Sequence, residues 1–513
     1  MGHPDTVVLD GTPLGEDEVV AVARHGAKVV VGDRVAEGMA ASRRVVDAHL
    51  DDDRPVYGLT TGFGALADVR IAPGDLVRLQ RNLIRSHAAG AGDALPAEVV
   101  RAMMLLRART LAAGRSGARP VVVERMADLL NARITPAVPG RGSVGASGDL
   151  AQLAHAALCL VGEGRVLANG GGTEPATDAL RRVGLDPIEL QAKEGIALVN
   201  GTEGMLALGT LALHDLRNLL TAADVAGAMT VESALGTDRP FAEDVVGLRP
   251  HPGQAASAAN LRTLLAGSAI IASHRDSSHA VQDPYSMRCA PQVHGAARDA
   301  AAFAGDVFDR ERAATVDNPV ILPDGRVEST GNFHGEPLAY AMDLLAIALA
   351  GLGGISERRT YWILGPGQQR DLPPFLSTEA GLGSGYMLAQ YTQAALVTEG
   401  KMLAQPAGVD SIPTSGTQED HVSMGWASGL KLRTLLGHAA TVIGIEAMVA
   451  AQALDLRSLD PAPGTGAALR AIRGRIPFLD QDRDLSGDIQ AATDLVRSGA
   501  LAAAAASRVG QLR

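Results

Sequence analysis

The sequence predicts a mainly α-helical fold built on long helices. Two observations carry this. Aromatic residues make up only 3% of the 513 residues, while Ala and Leu are abundant, a balance that favours helix over sheet. Apolar residues also recur at helical spacing over four long stretches, 205–235, 337–363, 384–404 and 421–457. At ~1.5 Å per residue the first would be about 45 Å long and the last about 55 Å. Helices of that length exceed one small core and predict an elongated bundle shared between subunits. Gly425, Gly429, Gly437 and Gly444 inside the last stretch predict close helix–helix approach rather than a stop.

The shorter elements follow in order. Thr6–Leu9 reads as a strand, and 17–24 and 33–49 as helices. Asp51-Asp52-Asp53 reads as a solvated break, because no carboxylates follow at calcium-loop spacing. The 76–87 stretch has helical periodicity, and 96–113 and Pro120–Asn131 are helices with Pro at or near their first positions. A helix starting at Asp149 would bury Leu150, Leu153, Ala154, Ala157 and Leu158. A turn over 162–172 precedes a helix over 173–184. The breaker cluster 249–254 precedes a helix over 259–274, and the Ala-rich tail after Leu495 reads as a surface helix.

Composition excludes several classes. Hydrophobic residues make up 46%, charged residues 20%, and the net charge is −11 with no basic run, which argues against nucleic acid or a membrane surface as a partner. Cys159 and Cys289 cannot build a disulfide framework, and Cys159 reads as a buried free thiol. No signal peptide is evident, and the longest apolar run, 344–355, is too short to span a bilayer. A soluble cytoplasmic protein is expected. No metal motif is found. His274 and His279 do not share a helix face, Glu419, Asp420 and His421 are consecutive, and neither H-E-x-x-H nor C-x-x-C occurs.

The most informative stretch is Gly142-Ser-Val-Gly145-Ala-Ser147-Gly-Asp149. Its plainest reading is a surface loop before a helix. Gly140 to Gly145 fits G-x-G-x-x-G, but the two prolines in 134–139 deny it the preceding strand that a dinucleotide fingerprint needs. Gly145-Ala-Ser147-Gly-Asp149 misses the nucleophile elbow by its last Gly. Elsewhere, Tyr57 lies in Tyr57-Gly-Leu-Thr-Thr-Gly-Phe-Gly64, where a packing role is the default. His87 at a helix end would ordinarily cap carbonyls. Asn200 before Gly-Thr would be a turn or N-cap residue. Arg288 alone would be a surface ion pair. Thr417 would cap the last long helix, with Glu419 and Asp420 at its positive end.

Taken together, these blocks resemble the aromatic amino acid ammonia-lyases and aminomutases, over roughly residues 10–480 and in the same order. In that family the Ala-Ser-Gly tripeptide cyclises. The Gly nitrogen attacks the Ala carbonyl, two waters leave, and an electrophilic methylidene-imidazolone (MIO) results. The resemblance therefore implies that Ala146, Ser147 and Gly148 form the MIO and that Tyr57 is the catalytic base, whose phenol must be brought down from a pKa of about 10 by a cation or a helix end. It implies that His87 contacts the substrate ring and that Asn200 binds the MIO carbonyl or the substrate. Gln282 and Tyr285 line the site, with Tyr285 among the catalytic set. Arg288 binds the substrate carboxylate through a planar two-point fork, and Phe333 packs by the prosthetic group. No metal or nucleotide is implied.

Gln418-Glu-Asp-His-Val-Ser423 is typical of the histidine branch, and a carboxylate at Glu419 suits an imidazole N–H where a phenyl ring would leave it unsatisfied. The implied reaction is elimination of ammonia from L-histidine to trans-urocanate. The implied fold is a long-helix bundle of the ammonia-lyase/fumarase-like type, assembled as a homotetramer with shared active sites. Residues 1–200 would form an N-terminal domain carrying the MIO and Tyr57 loops, and 201–513 the central bundle and C-terminal helices, all in one extended unit. The sequence departs from the family pattern at two points. Gln152 stands where relatives have Pro, and the Gly365-Pro366 loop lacks the Asp-Lys that precedes Leu-Pro-Pro-Phe-Leu in histidine enzymes. An ammonia-lyase or 2,3-aminomutase acting on tyrosine, phenylalanine or a modified histidine thus stays open, as does, in another class, a non-catalytic helical scaffold.

Overall fold

The computed structural model describes residues 3–50, 56–168, 170–277, 279–365 and 370–513. The acidic break at 51–53, Pro366 and the side chain of Thr417 lie outside the described residues. The long helices are present as Glu203–Ser233, Glu336–Leu364, Met387–Leu403 and Gly425–Asp455. A further long helix, Ala290–Ala313, went unread in the sequence because its face alternates small and charged residues rather than large apolar ones.

The chain divides into two compact units, 1–211 with 305–342 and 407–430, and 212–304 with 343–406 and 431–513. In the first unit, Thr6–Leu9 pairs in parallel with Lys28–Val31. Helix Ala97–Ala112 is buried on nearly every side, which puts Arg107 in the interior. Its Nε donates to the Ala197 carbonyl at 2.9 Å, and its Nη1 to Glu203 Oε1 at 2.8 Å and the Val316 carbonyl at 3.0 Å. Lys193 and Asp317, both buried, pair at 2.7 Å. A buried charge persists only when paired and hydrogen-bonded. These two pairs therefore hold helix Glu194–Val199 against the 313–318 segment, and with it Asn200 at the helix's end.

In the second unit, Arg359 makes a two-point pair with Glu446 at 2.5 and 2.8 Å, and Asp224 accepts from Ser257, Asn260, His294 and Arg298. Glycine permits the close approach expected there: a Cβ on Gly444 would lie 2.9 Å from the Ala492 carbonyl carbon. In the first unit, a Cβ on Gly425 would lie 2.6 Å from Met205 Sδ, and one on Gly429 2.8 Å from Leu208.

Several expectations need correction. A Cβ on Gly437 would meet nothing within 4 Å among the described residues, so it serves no close helix–helix packing within this chain. Leu150 and Leu158 are only half-buried, whereas Ala151, Gln152, Ala156 and Cys159 are buried, because helix Leu150–Leu160 has neighbours on several sides. The turn-and-helix over 162–184 contains a hairpin, Arg165–Leu167 with Thr173–Pro175. The 259–274 helix breaks at Gly267, whose φ of +79° ends one helix. Ser268 then caps the next by accepting from Ile271 N at 3.0 Å. The tail helix Ala500–Val509 buries Leu501, Ala502 and Ala505 and packs on Pro463–Arg473. Helix Gly425–Asp455 starts well after Thr417, so Thr417 is not its cap.

The run-length argument against membrane crossing also fails. Glu336–Leu364 and Gly425–Asp455 are long and apolar enough to cross a bilayer, with 56% and 78% of their most apolar windows buried inside the protein. A single interrupted run hides this, whereas an eighteen-residue average does not.

Candidate active site

The site grows from the 142–149 loop, which lies in the first unit. Ser143 Oγ accepts from Gly145 N at 3.0 Å and donates to Asp149 Oδ1 at 3.0 Å. Asp149 is fully buried, and its other oxygen accepts from Met205 N at 2.8 Å. Burial, only partly offset by the Met205 N–H and the Ser143 hydroxyl, pushes its carboxyl up to about 7. From here the backbone turns left-handed at Ser147 (φ +50°) and Gly148 (φ +77°). A Cβ on Gly148 would fall 1.9 Å from the Gly201 carbonyl oxygen, so only glycine fits.

Three other segments grip the loop. Asp149 N donates to the Gly201 carbonyl at 2.8 Å. Met424 N donates to the Val144 carbonyl at 2.9 Å, and Ser423 Oγ to the Gly145 carbonyl at 3.1 Å. Gly335 N reaches the same Gly145 carbonyl at 3.4 Å. The result is a buried Ala146 and a Ser147 whose hydroxyl faces outward from the turn, 3.5 Å from Glu419 Oε1.

Glu419 is held in turn. Its Oε2 accepts from Thr414 Oγ1 at 2.9 Å, and its backbone pairs with that of Thr414. Ser415 of the same loop accepts from Ala65 N at 3.3 Å, which brings in the Tyr57 loop. Tyr57 is half-buried, its hydroxyl accepts from Gly64 N at 3.1 Å, and its ring meets Phe63 edge-on at 6.3 Å. Burial raises the Tyr57 phenol above its usual range and the Glu419 carboxylate adds to this, while the Gly64 N–H pulls the other way. Gly64 opens the short 3-10 turn Gly64–Leu66, so the helix end expected to lower the phenol is present, but burial outweighs it.

His87, the last residue of helix Leu76–His87, places Nδ1 2.9 Å from the Leu83 carbonyl. A carbonyl only accepts, so Nδ1 carries the proton, and the capping expectation holds. Burial lowers the His87 pKa, opposed by that hydrogen bond and by Glu419. A neutral ring therefore presents Nε2 as an acceptor. Asn200 follows the end of helix Glu194–Val199 as its C-terminal cap residue rather than an N-cap. Its Nδ2 donates to the Asn318 carbonyl at 2.8 Å, and its buried Oδ1 has no hydrogen-bond partner among the described residues. Phe333 is half-buried two residues before Gly335. Gln152 donates to the Pro139 carbonyl at 3.3 Å, tying the helix start to a neighbouring strand.

The first unit thus gathers Tyr57, His87, Ala146, Ser147, Gly148, Asn200 and Glu419. Gln282, Tyr285 and Arg288 belong to the second unit. Arg288 Nε donates to the Asp283 carbonyl at 3.0 Å, and its guanidinium lies over the Tyr285 ring at 4.5 Å. Tyr285 is 71% exposed, and Gln282 is exposed as well. Sequence reasoning missed Thr414, Ser423 and Asp149 as holders of these groups. The Asp directly after the Ser-Gly pair was the available signal. It also missed a grouping of His334, Glu336 and His421, whose ligand atoms lie within 4.8 Å of one another. The spacing His-x-Glu was its only local trace.

Comparison with known proteins adds three likenesses to a family match. Residues 14–474 match the family model described as aromatic amino acid lyase. The chain is 52% identical over 510 residues to a histidine ammonia-lyase of Streptomyces coelicolor, covering 99% of this chain and 100% of that one. Its fold superposes on the histidine ammonia-lyase of Trypanosoma cruzi with a TM-score of 0.90 at 39% identity, covering 99% and 96% of the two chains. It superposes on a tyrosine aminomutase of Streptomyces globisporus with a TM-score of 0.94 at 35% identity, covering 99% and 100%.

Proposed function

The chain belongs to the aromatic amino acid lyase family, and we propose from that premise that it is a histidine ammonia-lyase, a carbon–nitrogen lyase that converts L-histidine to trans-urocanate and ammonia in histidine catabolism. The observation that carries the substrate is the Glu419 carboxylate, 3.5 Å from the Ser147 hydroxyl and acting on both Tyr57 and His87. A carboxylate there accepts from an imidazole N–H, whereas a phenyl ring would leave it buried and unmatched.

The tripeptide suits cyclisation to MIO. The left-handed turn at Ser147 and Gly148 and the lack of room for a Cβ on Gly148 support it. When formed, the MIO supplies an electrophilic carbon that takes up the substrate amine and so makes a poor leaving group a better one. The remaining work falls to this chain's side chains. Tyr57 removes the β-proton through its phenolate oxygen. Asn200 offers its free Oδ1 to the substrate amine and its second Nδ2 hydrogen to the MIO carbonyl. His87 Nε2 and Glu419 read the imidazole, and Phe333 shields the prosthetic group. Arg288 holds the substrate carboxylate, with Gln282 and Tyr285 beside it.

The exposure of Gln282 and Tyr285 accords with a homotetramer in which each site is completed by partner chains. A stripe on helix Glu336–Leu364 supports the assembly. Tyr340, Leu344, Ile347 and Gly351, then Arg358 and Tyr361, are exposed along one face at steps of four, three, four, seven and three residues, the spacing of a helix–helix seam. We place the enzyme in the cytoplasm, with a free amino acid as its small-molecule substrate.

The likeness to a tyrosine aminomutase keeps a second reading, amine transfer to the β-carbon. One assay separates the readings. Pure protein is incubated with histidine, tyrosine and phenylalanine, and the ultraviolet absorbance of the conjugated acid is followed while β-amino acids are sought by chromatography. Urocanate alone supports the proposal. Coumarate or cinnamate moves the substrate, and a β-amino acid moves the outcome.

A further inference from the structure

His334, Glu336 and His421 lie in the first unit, outside the residues given roles above. Each contributes one ligand atom, and the three atoms lie within 4.8 Å of one another. The proton arrangement is the informative part. His334 Nε2 lies 3.2 Å from the His421 backbone carbonyl. Since that oxygen can only accept, Nε2 bears the hydrogen and Nδ1 presents a lone pair. A hydrogen bond from the far ring nitrogen to a backbone carbonyl is the usual way a metal-binding imidazole is oriented.

His334 Nδ1 faces Glu336 Oε2 at 3.9 Å, too far for a hydrogen bond. Glu336 N donates to the same Nδ1 at 3.4 Å, a long hydrogen bond that an ion on that nitrogen would displace. Tyr340's hydroxyl bonds the Glu336 carboxylate, yet Oε2 stays buried with no hydrogen-bond partner among the described residues. The His421 ring stacks on that of His334, nearly parallel at 7° with centroids 5.8 Å apart. His421 is exposed, so the group opens to solvent on that side. His334 Nδ1 and a carboxylate oxygen thus lie 3.9 Å apart facing the same space, and a second imidazole lies alongside.

We propose that His334, Glu336 and His421 form a binding site for a divalent first-row transition ion of the Zn²⁺ class. Two imidazoles and a carboxylate suit Zn²⁺ or Co²⁺, with water completing the coordination. The ion would staple the turn carrying Phe333 to the loop carrying Glu419, the same two segments that grip Gly145. This site does not depend on the lyase reading, and its test does not use activity.

The full-length protein is stripped with a chelator, dialysed, and titrated with Zn²⁺ by calorimetry and with Co²⁺ by visible absorption. One ion per chain is expected, with d–d bands of nitrogen and oxygen coordination. His334→Asn and the surface change His421→Asn should each weaken binding at least tenfold, with circular dichroism showing the folds intact. Glu419→Gln should bind as the unaltered protein does. No bound ion, binding unchanged in both histidine variants, or binding lost in Glu419→Gln but kept in His334→Asn would each overturn the proposal.

Discussion

Replacing Glu419 by Gln tests substrate reading with a change of one charge and almost no volume. Ser147 Oγ and Thr414 Oγ1 donate to different carboxylate oxygens at 3.5 and 2.9 Å, so Gln keeps one of these bonds through its oxygen and turns its NH2 to the other hydroxyl, which can accept. What it loses is the negative end of a charge-assisted bond to the substrate imidazole. Hydrogen bonds to charged groups are worth roughly 1.5–3 kcal/mol and neutral ones roughly 0.5–1.5 kcal/mol. The difference of about 1–1.5 kcal/mol corresponds to a roughly five- to tenfold fall in kcat/KM for histidine. Phenylalanine offers no ring N–H, so its affinity as a competitor of histidine should hold or rise. A second readout has a fixed sign. Burial and Glu419 both raise the Tyr57 phenol, and only its ionised form accepts a proton, so kcat/KM should climb with pH on an alkaline limb. Removing the carboxylate lowers the phenol, and the limb moves to lower pH. Initial rates with histidine across the alkaline range, with and without phenylalanine as competitor, measure the two effects together. An equal loss of histidine kcat/KM and of phenylalanine affinity, or a limb displaced to higher pH, would refute the reasoning.

Three further outcomes are expected. Gly148→Ala puts a Cβ 1.9 Å from the Gly201 oxygen at a φ of +77°, so intact mass should show the two waters retained and activity should vanish. Tyr57→Phe should lose about 10²–10⁴ in kcat while keeping the two-water mass deficit, which separates base from scaffold. Asp149 has a carboxyl raised from 3.8 to about 7 in the folded chain. The stability tied to its protonated form is complete below its unfolded value and is lost as pH rises through 7, on the order of 4 kcal/mol. Urea midpoints at fixed chain concentration should therefore decline from pH 4 to 7 in the unaltered protein and stay flatter in Asp149→Asn.

The long helices were legible because their signal is local, an apolar stripe repeated turn after turn. Helix Ala290–Ala313 escaped since its buried face is built from small residues, among them Ala297, Ala300, Ala301 and Ala304, which carry little hydrophobic signal. The reacting groups were legible as short motifs, but their relations were not. Ser147 and Glu419 meet across 272 residues, and nothing near either one announces the other. The same holds for Arg107, whose partners at Ala197, Glu203 and Val316 come from three distant segments. Tyr57 marks the opposite case. Its identity was readable, while the influence on its phenol depends on burial and on Glu419, and it runs upward although the helix end at Gly64 pulls it down.

The grip on the 142–149 loop gives the protein a record of its own assembly. Its hydrogen bonds come from Gly201, Gly335, Ser423 and Met424, positions scattered over half the chain. A nascent or collapsed chain can hold Ala146-Ser147-Gly148 in sequence but cannot hold it in that turn. On the proposed chemistry, the two waters leave only after the distant segments have arrived, and the change is permanent. Every molecule that has once reached its native arrangement then carries a mass tag of the event, even after later denaturation. Mass spectrometry of a mixed population would count how many chains ever folded, which no equilibrium probe of the same sample can do.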